Sequence, residues 1–380
     1  MHLPEVCGCG HEFDGSEAPV GDPVIHQQWE LAPVRPLVFQ YDLIRLRCPC
    51  CGRLRLADLP VGVSWSAFAP RLEAHIATLA GVYRLSRRQV RDVIGEMFGI
   101  PISLRRGRRG DHAHVTGPLR TRGSSCVKAS SRPSKVHADE TGWRLKGAYR
   151  CLWVASTALA ACYRIDPTRS QAAAKELLGE EFGGFVISDR YIGYHWLDIL
   201  QQQLCWAHWV RSLVALSERQ DAPGKLARKL LKAAREVIRT HHAHLEDDHD
   251  LDWLRERLTP LRTQIQTLLQ TGARGHDQKT ANFCAGLLEE YDALWTFCDV
   301  QDLHIPIDNN AAERTLRHAV ILRRVQEGTQ SDHGSRWIER ILSIRETMRL
   351  QNRPVLDYLI QAATAAHHSQ PAPSPLTAGP

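Results

Sequence analysis

The chain has 380 residues, 43% apolar and 24% charged, which allows two or three folded domains with a sizeable core and excludes a wholly disordered chain. Its net charge of +6 is mild and favours nucleic acid only weakly. No run reaches membrane-spanning length and no signal peptide opens the chain, while the 11 cysteines, several in short pairs, suit metal binding in a reducing cytoplasm better than disulfides.

Residues 1–62 carry Cys7-Gly-Cys9-Gly and Cys48-Pro-Cys50-Cys51-Gly, with a strand-prone stretch from Trp29 to Tyr41 between them. Two Cys-Gly knuckles flanking strands read as a zinc ribbon held by Cys7, Cys9, Cys48 and Cys51. Cys7-x-Cys9 is one residue tighter than the usual knuckle, so Cys50 and His11 stand as alternative ligands, and unliganded thiols remain the plain alternative. Residues 63–104 hold two apolar stripes at helical spacing. Leu72, Ile76, Leu79 and Ala80 form the first; Val90, Val93, Ile94 and Met97 form the second, after Gly81 and a Ser86 N-cap. The pattern predicts a helix-turn-helix with Arg84, Arg87, Arg88 and Arg91 near the start of its second helix, where bases and phosphates are met; an ordinary helical hairpin with a solvated basic face fits equally.

From Ile100 to Lys135 nine Arg or Lys residues stand against one Asp. Arg105, Arg106, Arg108 and Arg109, broken by Gly, read as a linker at 105–135 suited to sequence-independent phosphate contact. A β-β-β-α-β order follows. Val136–Trp143, Tyr149–Ser156 and Ala160–Ile165 make a meander, Ser170–Leu178 is a helix, and Phe185–Ser188 is a fourth strand. Leu204–His208 begins a fifth strand or a helix. This predicts an α/β fold with a ribonuclease-H-like mixed sheet over 136–326, in which the first and fourth strands are neighbours. Residues 217–300 read as a helical insertion, with Pro260 as an expected kink; His241, His242, His244 and His249 could bind metal, but read better as a solvated loop between helices. Helices resume after Asp308 and continue through a C-terminal region at 327–365. The Pro-, Ala- and Ser-rich tail at 366–380 reads as disordered.

Three acids stand out. Asp139 lies in the first strand, Asp189 closes the fourth, and Glu313 sits on the helix after Asp308-Asn309-Asn310, 124 residues beyond Asp189. Three carboxylates converging from two strand ends and a helix suit two Mg²⁺ ions, which clamp the attacking and leaving oxygens of a phosphodiester. Each acid has a simpler explanation. Glu313 has capping-box spacing from Asn310 and ion-pair spacing to Arg317, Asp139 and Asp189 could end strands at turns, and Asp308 could replace Glu313 as third ligand. Cys205-x-x-His208 could bind zinc or brace the sheet, but a buried thiol and a hydrogen-bonded imidazole explain it as well. Arg314, Arg317, Arg323 and Arg324 could follow DNA phosphates, and Trp143 and Tyr191 could stack on flipped bases or simply pack in the core.

Four ordered blocks carry a resemblance over about residues 5–365: His-Ala-Asp139-Glu-Thr-Gly-Trp, Ser-Asp189-Arg-Tyr-Ile-Gly-Tyr, Leu-Cys205-Trp-Ala-His208-Trp-Val-Arg-Ser and Asp-Asn-Asn310-Ala-Ala-Glu313-Arg-Thr-Leu-Arg. The chain resembles transposases of the insertion sequence 66 family. The resemblance implies a DDE-type triad at Asp139, Asp189 and Glu313, Mg²⁺ dependence and a zinc-ribbon N-terminus. It implies double-stranded DNA as partner, through terminal inverted repeats and target sites, a homo-oligomer on that DNA, and small accessory proteins of the element. It further implies a bacterial, cytoplasmic, nucleoid-associated protein.

Overall fold

A computed structural model of the chain describes residues 3–32, 34–102, 135–301 and 304–376. The expected linker arginines Arg105, Arg106, Arg108 and Arg109 lie outside the described residues.

At the N-terminal side, β1 (Arg45–Arg47) and β2 (Leu54–Leu56) form a short antiparallel hairpin around the Cys48–Gly52 turn. The strand expected between Trp29 and Tyr41 is not there: its described residues carry no regular structure and are exposed. Pro36 has no N–H to give to a ladder, and among the described residues no strand pairs with this stretch. Helix α1 (Pro70–Ala77) opens on Pro70, whose missing N–H is no loss in a first turn. A π-helical turn (Thr78–Val82) leads to α2 (Arg87–Phe98). Ser86 Oγ accepts from the N–H of Gln89, and Gln89 Oε1 accepts from the N–H of Ser86, a capping box that sets the start of α2.

The centre of the described molecule is an α/β unit. Strands β3 (Lys135–Leu145), β4 (Ala148–Ser156) and β5 (Ala161–Asp166) form an antiparallel meander. Helix α3 (Gln171–Leu178) then crosses to β6 (Phe185–Ser188). A short β7 (Gln202–Leu204) runs directly into α4 (Trp206–Ser217), so the Leu204–His208 stretch is both strand end and helix start. The sheet order is β5-β4-β3-β6-β7, with β3, β6 and β7 parallel. Both faces are covered. Val136, Ala138, Trp153 and Val186 pack with α3 residues Ala174 and Leu177 on one side.

The helical block follows: α5 (Ala222–Glu246), α6 (Leu251–Ala273), α7 (Gln278–Glu289) and α8 (Thr296–Asp299). Helix α6 runs on through Pro260 without interruption. The expected solvated histidine loop is corrected: His241, His242 and His244 lie on α5, with His241 buried, and His249 stacks on Trp253 at 3.9 Å. The block has its own core, in which Trp206 of α4 meets Trp295 at 5.2 Å between ring centres. The chain returns as α9 (Asn310–Gln326), α10 (Asp332–Leu350) and α11 (Val355–His367). Ala312, Leu316 and Ala319 of α9, with Ile338 and Leu342 of α10, cover the second sheet face against Trp143, Val154 and Tyr163.

Helix α1 packs on α10 and α11 through Ala74 and Ala77. The stripe expected to be inward, Leu72, Ile76, Leu79 and Ala80, is only half-buried. Small residues take the contact because the helices approach closely; a Cβ added at Gly81 would come within 2.2 Å of Ile341 Cγ1. After His367 the chain is described to Leu376, and the carbonyls of Pro373 and Pro375 accept from Tyr358 and Gln351.

Candidate active site

The last residue pair of the β3–β6 ladder is His137 with Ile187. Asp139 and Asp189 each stand two residues further along, so parallel register brings the two aspartates to the same edge of adjacent strands. The β3 alternation sends Asp139 to the α9 side and Glu140 to the α3 side. There Glu140 pairs with Arg169 and accepts from Tyr194 Oη at 3.1 Å. Asp139 Oδ1 accepts the N–H of Glu140 at 2.8 Å, and Asp189 Oδ1 accepts that of Tyr191 at 3.0 Å.

Helix α9 is tied across β3 at two points. Asn309, fully buried, donates from Nδ2 to the Ala138 carbonyl at 2.8 Å, one residue before Asp139, and its Oδ1 lies 3.0 Å from His137 Nδ1. Four turns on, Arg323 bonds Thr141 Oγ1 at 3.1 Å and the Gly142 carbonyl. Glu313 therefore rides the first turns of a helix anchored on both sides of Asp139. The backbone N–H of Asn309 also donates to Cys205 Sγ at 3.2 Å, and that of Cys205 to the Ser188 carbonyl at 2.9 Å. One chain of bonds thus joins the end of β6, the start of α4 and the start of α9. Cys205 serves here as a buried brace, and burial pushes its thiol up from its ordinary value.

Burial pushes the Asp139 carboxyl up to about 7, and the negative charges of Glu140, Asp189 and Glu313 push the same way. The three acids of the expected triad thus share one electrostatic neighbourhood. They do not close on a common point: among the described residues no three His, Cys, Asp or Glu side chains are grouped to hold a metal ion. Glu313 instead meets His208 Nε2 at 3.4 Å and Arg211 Nη2 at 3.8 Å, both on α4. The simpler roles for Glu313 are not taken up, since α9 begins without a side-chain cap and the Glu313 ion partners lie on α4 rather than at Arg317. Asp308 is engaged as an acceptor for the N–H and amide of Asn310, at 3.0 and 2.6 Å.

The remaining expected residues divide. Cys7 with Cys9, and Cys48 with Cys51, form two separate tight turns. The N–H of His11 lowers the Cys9 thiol and the N–H groups of Cys51 and Cys50 lower that of Cys48, but the two turns do not meet in a four-sulfur cluster. Arg87, Arg88, Arg314 and Arg317 are exposed. Arg91 is turned to Asp92. Arg84, expected at the helix start, bonds His318 Nδ1 of α9 at 2.8 Å, and Arg323 faces β3. Trp143 is core, its Nε1 donating to Thr329 Oγ1 at 3.3 Å, and the Tyr191 ring is covered by Arg169 at 3.7 Å. Asn309, His137 and Arg211 escaped the sequence reading; the doubled Asn after Asp308 was the available signal for the first.

A DDE-type family model, described as Transposase IS66 family, matches residues 66–336, from before α1 into the start of α10. The chain belongs to the IS66 transposase family. No curated protein matches it. The matched span takes in the helix pair, the sheet, the helical block and α9, and leaves the cysteine turns and α11 outside. For a transposase of this family a divalent metal is implied and DNA is the implied partner. Among the described residues no helix is long and apolar enough to cross a membrane.

Proposed function

We propose that this IS66-family transposase cuts DNA at the ends of its element and joins them to target DNA at a site made by Asp139, Asp189 and Glu313. The observation that carries the reading is Asp139: a carboxyl raised to about 7 by burial and by three neighbouring acids marks uncompensated negative charge, which a divalent cation would offset. The donors are carboxylate oxygens, the hard ligands Mg²⁺ prefers. Asp139 and Asp189 already share a strand edge; Glu313 joins them by turning its side chain from His208 and Arg211. When bound, two such ions activate water and neutralise charge building on the phosphate.

The chemistry is a pair of in-line displacements at phosphorus. Water cuts at the element end and frees a 3′-hydroxyl, and that hydroxyl attacks a target phosphodiester, without a covalent protein–DNA intermediate. Sheet order and the α9 crossing support a ribonuclease-H-like catalytic domain. The exposed Arg87 and Arg88 on the capped α2 support a helix-turn-helix reading of the inverted repeat, with Arg314 and Arg317 available to phosphates beside the site. Pairing two element ends calls for a dimer or larger assembly on DNA. Zinc at Cys7, Cys9, Cys48 and Cys51 would require the two cysteine turns to come together.

The decisive measurement is joining of a pre-cut duplex end to a plasmid, with the 3′-hydroxyl present or blocked, in Mg²⁺ or EDTA. Joining that needs both hydroxyl and metal, and that disappears in Asp139→Asn, Asp189→Asn and Glu313→Gln without loss of DNA binding, is the expected result. Cutting without joining would indicate a nuclease of the same fold. Wild-type binding with neither activity would indicate a DNA-binding module.

A further inference from the structure

The helical block received no chemical role above, yet α5 carries the most one-sided charge of the described helices. One face packs into the block through Leu230, Ala234 and Val237. The opposite face exposes Lys225, Arg228, Lys229, Lys232, Arg235 and Arg239. At about 100° and 1.5 Å per residue these six fall within an arc of about 120° and run for about 21 Å. Arg228 donates to the carbonyls of Ser217 and Arg219 at 2.6 and 2.8 Å, and Arg239 pairs with Glu236. Among the described residues the other four, Lys225, Lys229, Lys232 and Arg235, have no ion-pair partner.

Neighbouring α6 treats its cations differently. Arg255 donates to the Cys298 and Asp299 carbonyls at 2.8 and 3.0 Å, Arg262 bonds the Asp299 carboxylate at 2.9 Å, and Arg257 lies 4.7 Å over the Trp253 ring. Like charges spaced three and four residues apart destabilise a helix, and on α5 only Arg228 and Arg239 find partners among the described residues. A matching ligand is a stiff polyanion, longer than one turn of helix. Duplex DNA carries a charge per about 1.7 Å of axis, so about 12 phosphates lie along a 21 Å stripe.

We infer that the exposed face of α5 docks the sugar–phosphate backbone of a DNA duplex, without reading its bases. Half of the stripe is lysine, it has no aromatic side chain, and Arg228 and Arg239 are already engaged by protein groups, which suits backbone positioning more than base recognition. His241, on the packed side of the same helix, lies within electrostatic reach of Asp308 at the start of α9. The basic face of α5 lies opposite that packed side. The inference rests on the reading of DNA as partner.

The test uses the full chain and a labelled duplex of arbitrary sequence, titrated in salt from about 50 to 200 mM. The variant replaces Lys225, Lys229, Lys232 and Arg235 with Gln. Weaker binding is expected, with a log affinity–log salt slope shallower by about 0.9 per lost contact, up to about 3.6 for four. Replacing the three lysines with Arg should keep the wild-type slope. An unchanged slope in the Gln variant, with wild type binding DNA, overturns the stripe and leaves the DNA reading standing; no DNA binding by wild type overturns both. Binding of labelled polyglutamate that the Gln variant loses, with duplex binding unchanged in that variant, would reassign the face to an acidic protein. Circular dichroism checks the helix content. If it falls, the pair Lys229→Gln and Lys232→Gln is read instead, against an expected slope change of up to about 1.8.

Discussion

Asn309 is fully buried, and three of its polar groups are spent on holding the candidate site: Nδ2 on Ala138, Oδ1 beside His137, and the backbone N–H on Cys205. Asn309→Ala leaves the Ala138 carbonyl buried without that partner, at a cost of about 1–3 kcal/mol in chemical denaturation. It also frees the start of α9, and a displacement of about 1 Å there lowers strand cleavage on the order of 100-fold. DNA affinity at the α5 face should not change. A variant with wild-type cleavage would show that α9 is placed by its apolar face alone. The residue scale is also where the sequence was least legible. Asp139, Asp189 and Glu313 could be picked out because acids at strand ends and after an Asn pair are unusual. The Asn309 hub could not, because its three partners are 104, 171 and 172 positions away in the chain.

At the scale of elements the alternating strands and capped helices were legible, and the packing faces less so. Strand β5 reads plainly, with Ala161, Tyr163 and Ile165 inward and their neighbours half-buried. For α1 the large apolar residues suggested one face, but the helix packs through Ala74 and Ala77, chiefly against α11, while the turn that follows it closes on Ile341 of α10 at Gly81. Hydrophobic periodicity cannot reveal which neighbour arrives or how near. The same limit explains His241, which is placed inside α5 by the packing of Phe297 against its ring at 5.2 Å. The start of α2, by contrast, is encoded locally. Ser86→Ala removes its capping box and should cost about 1 kcal/mol in urea unfolding. If α2 reads the inverted repeat, specific DNA affinity falls with it while binding to arbitrary duplex holds.

At the scale of the whole molecule the turn between the paired helices is tied to α9 through an imidazole, beside the apolar packing of α1 on α10 and α11. His318 of α9 receives Arg84 at Nδ1, and its Nε2 lies 3.2 Å from the Gly81 carbonyl. Burial, reinforced by Arg345 and Arg84, pulls His318 down to about 4 from an ordinary 6.5. A depressed folded-state value means that the neutral ring is the stabilising form. Its contribution is complete above pH 6.5, and it is lost as acid carries the solution down through about 4. The urea midpoint should therefore drop on going from pH 7 to pH 4, and by less in His318→Gln, which does not titrate. Equal drops in both proteins would place the acid sensitivity elsewhere.

The long excursion between Asp189 and Glu313 has a consequence for how the enzyme comes into being. During synthesis the sheet with its two aspartates is complete well before the helix that brings the third acid has been translated. A ribosome that stalls, or a message cut short, anywhere within α5 to α8 releases a protein with two of three acids and without the Asn309 clasp. If those three acids make the proposed site, such a fragment lacks a complete one, and cutting waits for a nearly finished chain.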